Sequence, residues 1–169
     1  MTKRHAPAAS RNRDALLDLL RRVLPASGRV LELGSGTGEH AVHCAAHLPG
    51  LVWQPSDPDP ASRDSIAAWT AEAGLPNVLP PLQLDLLARA WRLQRADAIV
   101  VVNVLHVAPP GAGEALLAGA AQALPPGGRL VVAGPGAEAL PPLAGAHDLV
   151  LVEEAPLPEG TIAVVLRRR

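Results

Sequence analysis

"VLELGSGTGEH", residues 30–40, decides how this chain is read. An apolar run broken only by Glu32 enters three alternating glycines, Gly34, Gly36 and Gly38, and leaves into a helix-like stretch. Strand, glycine loop and helix form the opening unit of an α/β fold, where glycine permits tight turning and close approach of backbone to a ligand. The spacing then discriminates among ligands. A dinucleotide loop wants G-x-G-x-x-G with pyrophosphate on the helix N-terminus. Here the third position holds Glu39, a charge unfavourable beside pyrophosphate unless it points away. No lysine follows, so this is not a phosphate-binding P-loop.

The flanking chain alternates helix and strand patterns. Residues 10–25 place Leu16, Leu17, Leu20, Val23 and Leu24 at helical spacing, with Ser10 or Asn12 as cap and Pro25 as stop. The helix after the loop is expected from Thr37 to about Leu48, and "LVWQPSD" (51–57) is a second strand. Asp59 caps the next helix, Pro60 takes its first position and Gly74 ends it. A short third strand is expected over 79–84, weakened by Pro80 and Pro81. "ADAIVVVNVLH" (96–106) is the strongest strand, a helix follows over 113–124, and "PPGG" (125–128) makes a turn with Gly127 at positive φ. Then come "RLVVAG" (129–134), "DLVLVEE" (148–154) and "TIAVVLRR" (161–168), the last two joined as a hairpin through 158–160.

The expected fold class is α/β: a Rossmann-like three-layer sandwich whose mainly parallel seven-stranded sheet carries an antiparallel C-terminal strand. It is read as one domain over 1–169, with an N-terminal helix and lid (1–25), a core (29–135) and a C-terminal strand pair (148–169).

Composition narrows the function classes. The 169 residues are 49% apolar, enough for a core without disulfides, and Cys44 is the single cysteine. No apolar run approaches the roughly 20 residues of a membrane span, and no secretory signal is read, so a cytoplasmic location is expected. Fifteen basic residues against 16 acidic ones give a net charge of −1, which implies no polyanion partner. With no Phe and no Tyr there is no stacking platform for single-stranded nucleic acid and no phenolic catalyst. The expected partners are a small-molecule substrate and, as candidate assembly, a second copy of the chain, with neither nucleic acid nor membrane.

Carboxylates recur at strand ends. Asp57, about 20 residues past the loop, is positioned to accept both hydroxyl hydrogens of a ribose. NAD enzymes share that feature, so it points to a nucleoside without choosing the cofactor. The stretch "ELGSGTG" (32–38) resembles motif I of class I S-adenosylmethionine-dependent methyltransferases. The resemblance implies S-adenosylmethionine as cofactor, held by Glu32, Gly34, Ser35, Gly36 and Gly38. That molecule has no phosphate; its ammonium and sulfonium suit Glu32. Asp57 and Pro58 would meet the ribose. Asp85, with the backbone amide of Leu86, would meet the adenine, and Asn103 would line cofactor and substrate. "LPPGGRLVV" (124–132) is similar to the same superfamily.

Longer pieces resemble a narrower family, the one that includes methyltransferase-like protein 26 and its bacterial relatives. They include "WQPSDPD" (53–59), "GEHAVH" (38–43) and "NVLHVAP" (103–109), and span roughly 7–135. This resemblance implies a lid from the N-terminal piece and no particular substrate. The chain departs from that pattern after the fifth strand. Only "PGAEALPPLAGAH" (135–147) is available for a crossover that ordinarily takes a dozen or more residues with a helix. The shortening implies an open pocket, a wall from a partner, or loss of activity.

For chemistry, His106 is the candidate base, three residues past Asn103, with an ordinary pKa suited to proton transfer. His40 is the candidate contact to cofactor or substrate. Arg11, with Asn12, is the candidate for an anionic substrate group. His40, His43 and His47 lie near one helical face, but no metal site is assigned to them, and Cys44 is read as a core residue. Methyl transfer to a small acceptor is the expected activity. A cofactor-binding but non-catalytic module and an NAD-linked oxidoreductase are the rivals.

Overall fold

The structure, a computed structural model, describes residues 2–93 and 95–169. The chain opens with α1 (Pro7–Val23), followed by β1 (Gly28–Leu33), α2 (Glu39–His47), β2 (Leu51–Pro55) and α3 (Pro60–Ala73). It continues through β3 (Ala98–Val102), α4 (Ala112–Ala123), β4 (Arg129–Ala133), the single turn α5 (Pro141–Ala144), β5 (Leu149–Pro156) and β6 (Ile162–Arg168). The sheet order is β2-β1-β3-β4-β6-β5. The first four strands are parallel, and β6 runs antiparallel between β4 and β5.

Alternation along the buried strands sorts the core into two layers. Val30, Val100 and Val131 face Leu16, Leu20, Ala41 and Cys44 from α1 and α2. Leu31, Ile99 and Leu130 face Leu116, Leu117 and Ala120 from α4. β1 lies between β2 and β3, so the chain reverses its direction of winding there. The crevice above that switch point, at the carboxyl ends of the strands, is where open α/β sheets bind ligands.

Three sequence expectations change. Among the described residues the sheet has six strands, not seven. Residues 78–82 pair by isolated parallel bridges rather than a ladder, Val78 with Trp53 of β2 and Leu82 with Ser56 just past it. Pro80 and Pro81 have no N–H for a ladder, and the Gln54 amide fills in by donating to Pro80 O at 2.9 Å. Neither Ser10 nor Asn12 caps α1: the helix begins at Pro7, in the first-turn position proline favours. The crossover after β4 is also better built than its length implied. Two 3₁₀ turns and α5 bury Ala137, Leu140 and Ala144 under the sheet at helical spacing.

The third helix is as read: Asp59 accepts from the N–H groups of Ala61 and Ser62, and Gly74 closes it in the left-handed conformation. Among the described residues, no helix is long and apolar enough to cross a membrane.

Leu140 is 1% exposed and carries much of the short crossover. Leu140→Ala is expected to cost about 2–5 kcal/mol of unfolding free energy in a denaturant titration, and to loosen β5 and β6 before β1 in hydrogen exchange.

Candidate active site

The loop between β1 and α2 is left-handed at Gly34, Gly36 and Gly38. Two of these glycines are forced by contact as well. A Cβ on Gly34 would stand 2.6 Å from Val104 Cγ2, and one on Gly38 would stand 2.8 Å from Ile66 Cα. Gly36 faces open space, as a cradle for a ligand requires.

Asp57 holds the loop in place. Its Oδ2 accepts the Gly36 N–H at 2.9 Å and its Oδ1 accepts the Asp59 N–H at 3.0 Å. Ser35 and Ser56 add a second clasp. Ser35 N–H donates to Ser56 O at 2.8 Å, Ser56 N–H donates to Ser35 Oγ at 3.1 Å, and Ser56 Oγ–H donates to Glu32 O at 2.7 Å.

Glu32 lies beneath the loop and is 2% exposed. The indole N–H of fully buried Trp53 donates to its Oε2 at 2.7 Å. Burial raises its pKa to about 7, the indole and Ser35 partly opposing that and the Asp57 charge adding to it. This carboxyl changes charge near neutrality and favours a cation that ionises it.

A cleft of about 290 Å³ opens above the switch point, between Gly34, Asp57 and Pro58 on one side and Asn103 and Val104 on the other. Leu84, Asp85, Leu86 and Leu87 form its floor and outer wall, and Val107, Ala108 and Pro109 its rim. Asp85 is exposed, and its Oδ1 accepts the Leu87 N–H at 2.9 Å in a local turn. Asn103 ends β3 with φ 55°, a left-handed conformation that asparagine tolerates better than most residues. The structure therefore brings Gly34, Asp57, Pro58, Asp85, Leu86 and Asn103 around one opening. Its lining contains three acidic or amide side chains and no lysine or arginine.

Other candidates fall elsewhere. His106 is exposed on a 3₁₀ turn and does not line the cleft, although its neighbour Val107 does. Arg11 pairs with Glu159 in the β5–β6 turn, with Nε to Oε1 at 2.6 Å. Asn12 is buried and its Oδ1 meets His40 Nε2 at 3.0 Å. Burial, with His43 and Arg13 adding to it, lowers the His40 pKa to about 4 and keeps the ring neutral. His40 and Asn12 thus join α2 to α1. Burial pushes the Cys44 thiol up, as suits an inert core residue.

The start of the N-terminal piece, read in the sequence as part of a lid, is a strap fastened by contacts the sequence did not show. Residues 2–6 cross α3 and reach the glycine loop. Glu39 Oε2 accepts both the Ala6 N–H at 2.8 Å and the Thr37 hydroxyl at 2.9 Å. Arg4 N–H donates to Ser65 Oγ, which in turn donates to Thr37 O at 2.7 Å. Trp69 Nε1–H donates to Arg4 O at 2.8 Å, and Lys3 sits over the Trp69 ring at 3.6 Å. The capping chemistry around Asp59 was legible locally, but these partners lie far apart in the chain.

The fold is the α/β Rossmann-like fold of methyltransferases. Similar solved structures agree. An S-adenosylmethionine-dependent methyltransferase, SibL, in its apo form matches with TM-score 0.78 and 21% identity over 95% of this chain and 55% of its own. An O-methyltransferase family 2 protein from Planctomyces limnophilus DSM 3776, in complex with apigenin, matches with TM-score 0.76 and 20% identity over 96% and 58%. CalO1, a methyltransferase in calicheamicin biosynthesis, in its SAH-bound form, matches with TM-score 0.74 and 19% identity over 96% and 54%. The chain thus spans little more than half the length of these proteins. It belongs to the family described as "Protein of unknown function (DUF938)", whose model matches residues 3–159.

Glu39→Ala leaves the Ala6 N–H and the Thr37 hydroxyl without their acceptor. The expected cost is about 1–3 kcal/mol. Hydrogen exchange should rise about tenfold or more at residues 34–39, at 1.4 kcal/mol per tenfold, with β4 amides unaffected. Unchanged exchange in the loop would show that the strap does not brace it.

Proposed function

We propose that this chain binds S-adenosylmethionine and transfers its methyl group to a small-molecule acceptor. The observation that carries the reading is the acceptor-rich cleft at the switch point, beside the left-handed glycine loop with buried Glu32 beneath it. The residues fit the cofactor. Asp57 retains lone pairs for ribose hydroxyls after accepting two backbone N–H groups. Asp85 and the Leu86 backbone suit the adenine edge. Glu32 suits the ammonium, directly or through water, and Gly36 leaves room for the aminoacyl part. When bound, the cofactor supplies an electrophilic methyl group on a sulfonium.

The chain's own contribution is binding and orientation, which account for most of the acceleration in an in-line displacement. Asn103 stands between cofactor and acceptor. His106, exposed at the rim, remains our candidate for removing a proton from an acceptor that needs it. Kinship with the methyltransferase-like protein 26 family is part of the same proposal. It is supported by "WQPSDPD" and "GEHAVH", which carry Trp53, Asp57, Glu39 and His40.

The charge of Glu32 gives the test its sign. Its folded pKa of about 7 lies above the ordinary 4.5, so the native state holds this proton more tightly than the unfolded chain. Relative stability is best below about pH 4.5 and falls as pH rises toward 7, by about 3 kcal/mol at most. A bound ammonium stabilises the ionised form, so ligand affinity moves the opposite way. Calorimetry with S-adenosylhomocysteine should show affinity rising up to about tenfold per pH unit below pH 7 and levelling above it. Glu32→Gln should flatten that dependence and bind more weakly throughout. Binding of NADH without S-adenosylhomocysteine would favour the oxidoreductase reading instead.

A further inference from the structure

A second cleft of about 310 Å³ opens at the same end of the sheet, lined by Gly134, Pro135, Glu138, Gly160, Thr161 and Ile162. Gly134 follows β4, Ile162 begins the antiparallel β6, and Gly134 N–H donates to Ile162 O at 2.9 Å. Asn103 is the partition between the two clefts. It lines the first, and a Cβ on Gly134 would stand 2.4 Å from its Oδ1, so only glycine permits the wall to be this thin. On the other side, a Cβ on Gly136 would stand 3.7 Å from the His106 backbone nitrogen. The second cleft is therefore next to the first, across Asn103, and beside the turn that carries His106.

Its polar side chains offer acceptors. The Gly136 N–H is committed to Glu138 Oε2 at 3.0 Å, which fixes that carboxylate and leaves its other oxygen for a ligand. The Thr161 hydroxyl donates to Pro158 O at 3.1 Å and keeps its lone pairs. Glu138 is the one charged side chain in the lining. The nearby guanidinium of Arg11 is paired with Glu159. Pro135 and Ile162 supply apolar walls.

We propose that this second cleft is the acceptor subsite and that the acceptor is a small amine, docked as an ammonium on Glu138. The proposal rests on the first cleft being the cofactor site. The ammonium loses a proton to solvent. The freed nitrogen lone pair then forms the N–C bond as the donor's S–C bond breaks, and the electron pair of that bond stays on sulfur. An anionic acceptor would meet a carboxylate, with the nearby Arg11 already paired to Glu159, so it is disfavoured by the same geometry.

The test uses three probes of nearly equal size: 2-phenylethylamine, 2-phenylethanol and phenylacetate. Each is titrated by NMR into the full chain, with and without saturating S-adenosylhomocysteine. The amine should bind at least about fivefold more tightly than the alcohol, as expected of a partly exposed charge-assisted contact, and phenylacetate should bind most weakly. Glu138→Gln should abolish the preference for the amine without changing S-adenosylhomocysteine affinity. Glu154→Gln, an equal change of charge on the exposed β5 strand, should preserve the preference. Phenylacetate binding as tightly as the amine, or an amine preference that survives Glu138→Gln, overturns the proposal. Amine selectivity that depends on Glu138 in a protein that never binds S-adenosylhomocysteine overturns the cofactor reading and leaves a cation subsite. Cofactor binding without amine selectivity does the reverse.

Discussion

The glycine loop closes one turn on itself, the Gly38 N–H donating to Ser35 O at 3.1 Å. Left-handed at three positions, it takes the rest of its shape from contacts outside it. Asp57 is the main external constraint. One carboxylate oxygen takes the Gly36 N–H and the other the Asp59 N–H, fastening the end of β1 to the start of α3. The ladder between β1 and β2 ends at the Glu32–Pro55 pair, and the Ser35–Ser56 clasp extends the registration beyond it. With the loop fixed, Gly38 packs against Ile66 of α3, and Gly34 packs against Val104 in the lining of the cleft. A ligand that used Asp57 would find this carboxylate already oriented, and orienting it would cost little on binding.

Glu32 is the opposite kind of residue, one the fold would do better without. Its carboxyl lies beside a layer built mostly from valine, leucine and alanine, with the Trp53 indole N–H at 2.7 Å and Ser35 to offset the loss of water. A leucine there would serve packing more cheaply. Local conflict of this kind tends to mark function. His40, half-buried, pulls stability the other way. Its folded pKa of about 4 lies below the ordinary 6.5, so its contribution is present above pH 6.5 and lost as pH falls toward 4. The two groups oppose each other across the acid range, so a shallow stability profile can conceal two substantial ionisations.

What the sequence revealed was what is local. Asp59, Pro60 and Gly74 fix the ends of α3 by contacts within a turn of each end, and they were legible. Pro7 was equally local evidence for the start of α1, but Ser10 and Asn12 had stronger capping character and drew the boundary inward. The third strand failed because a parallel edge needs N–H groups that Pro80 and Pro81 do not have. The crossover after β4 looked too short because its length was counted rather than its pattern. Ala137, Leu140 and Ala144 repeat at helical spacing. Arg11 and Asn12 were expected to face a substrate, but their partners, Glu159 and His40, lie on elements that only the tertiary fold brings near. The ring of Asp57, Asp85 and Asn103 was legible because strand ends in an α/β sheet converge by topology, whatever lies between them.

Glu39 is a charge that the fold turns away from where its place in the sequence suggests. Its charge next to the loop was the sequence argument against pyrophosphate. In the structure its carboxylate turns to the strap, accepting from Ala6 and Thr37, with His5 3.4 Å away. It therefore does little to repel a ligand at the loop. The negative charge at the clefts comes from other residues. Asp57 and Asp85 line the first, Glu138 lines the second, and Glu32 lies beneath the loop, with no lysine or arginine in either lining to balance them. A pyrophosphate would enter that field without a counter-charge. A ligand with hydroxyls, an ammonium and a sulfonium would meet acceptors at each turn. What discriminates is thus the sign of the surroundings, which no spacing of glycines records.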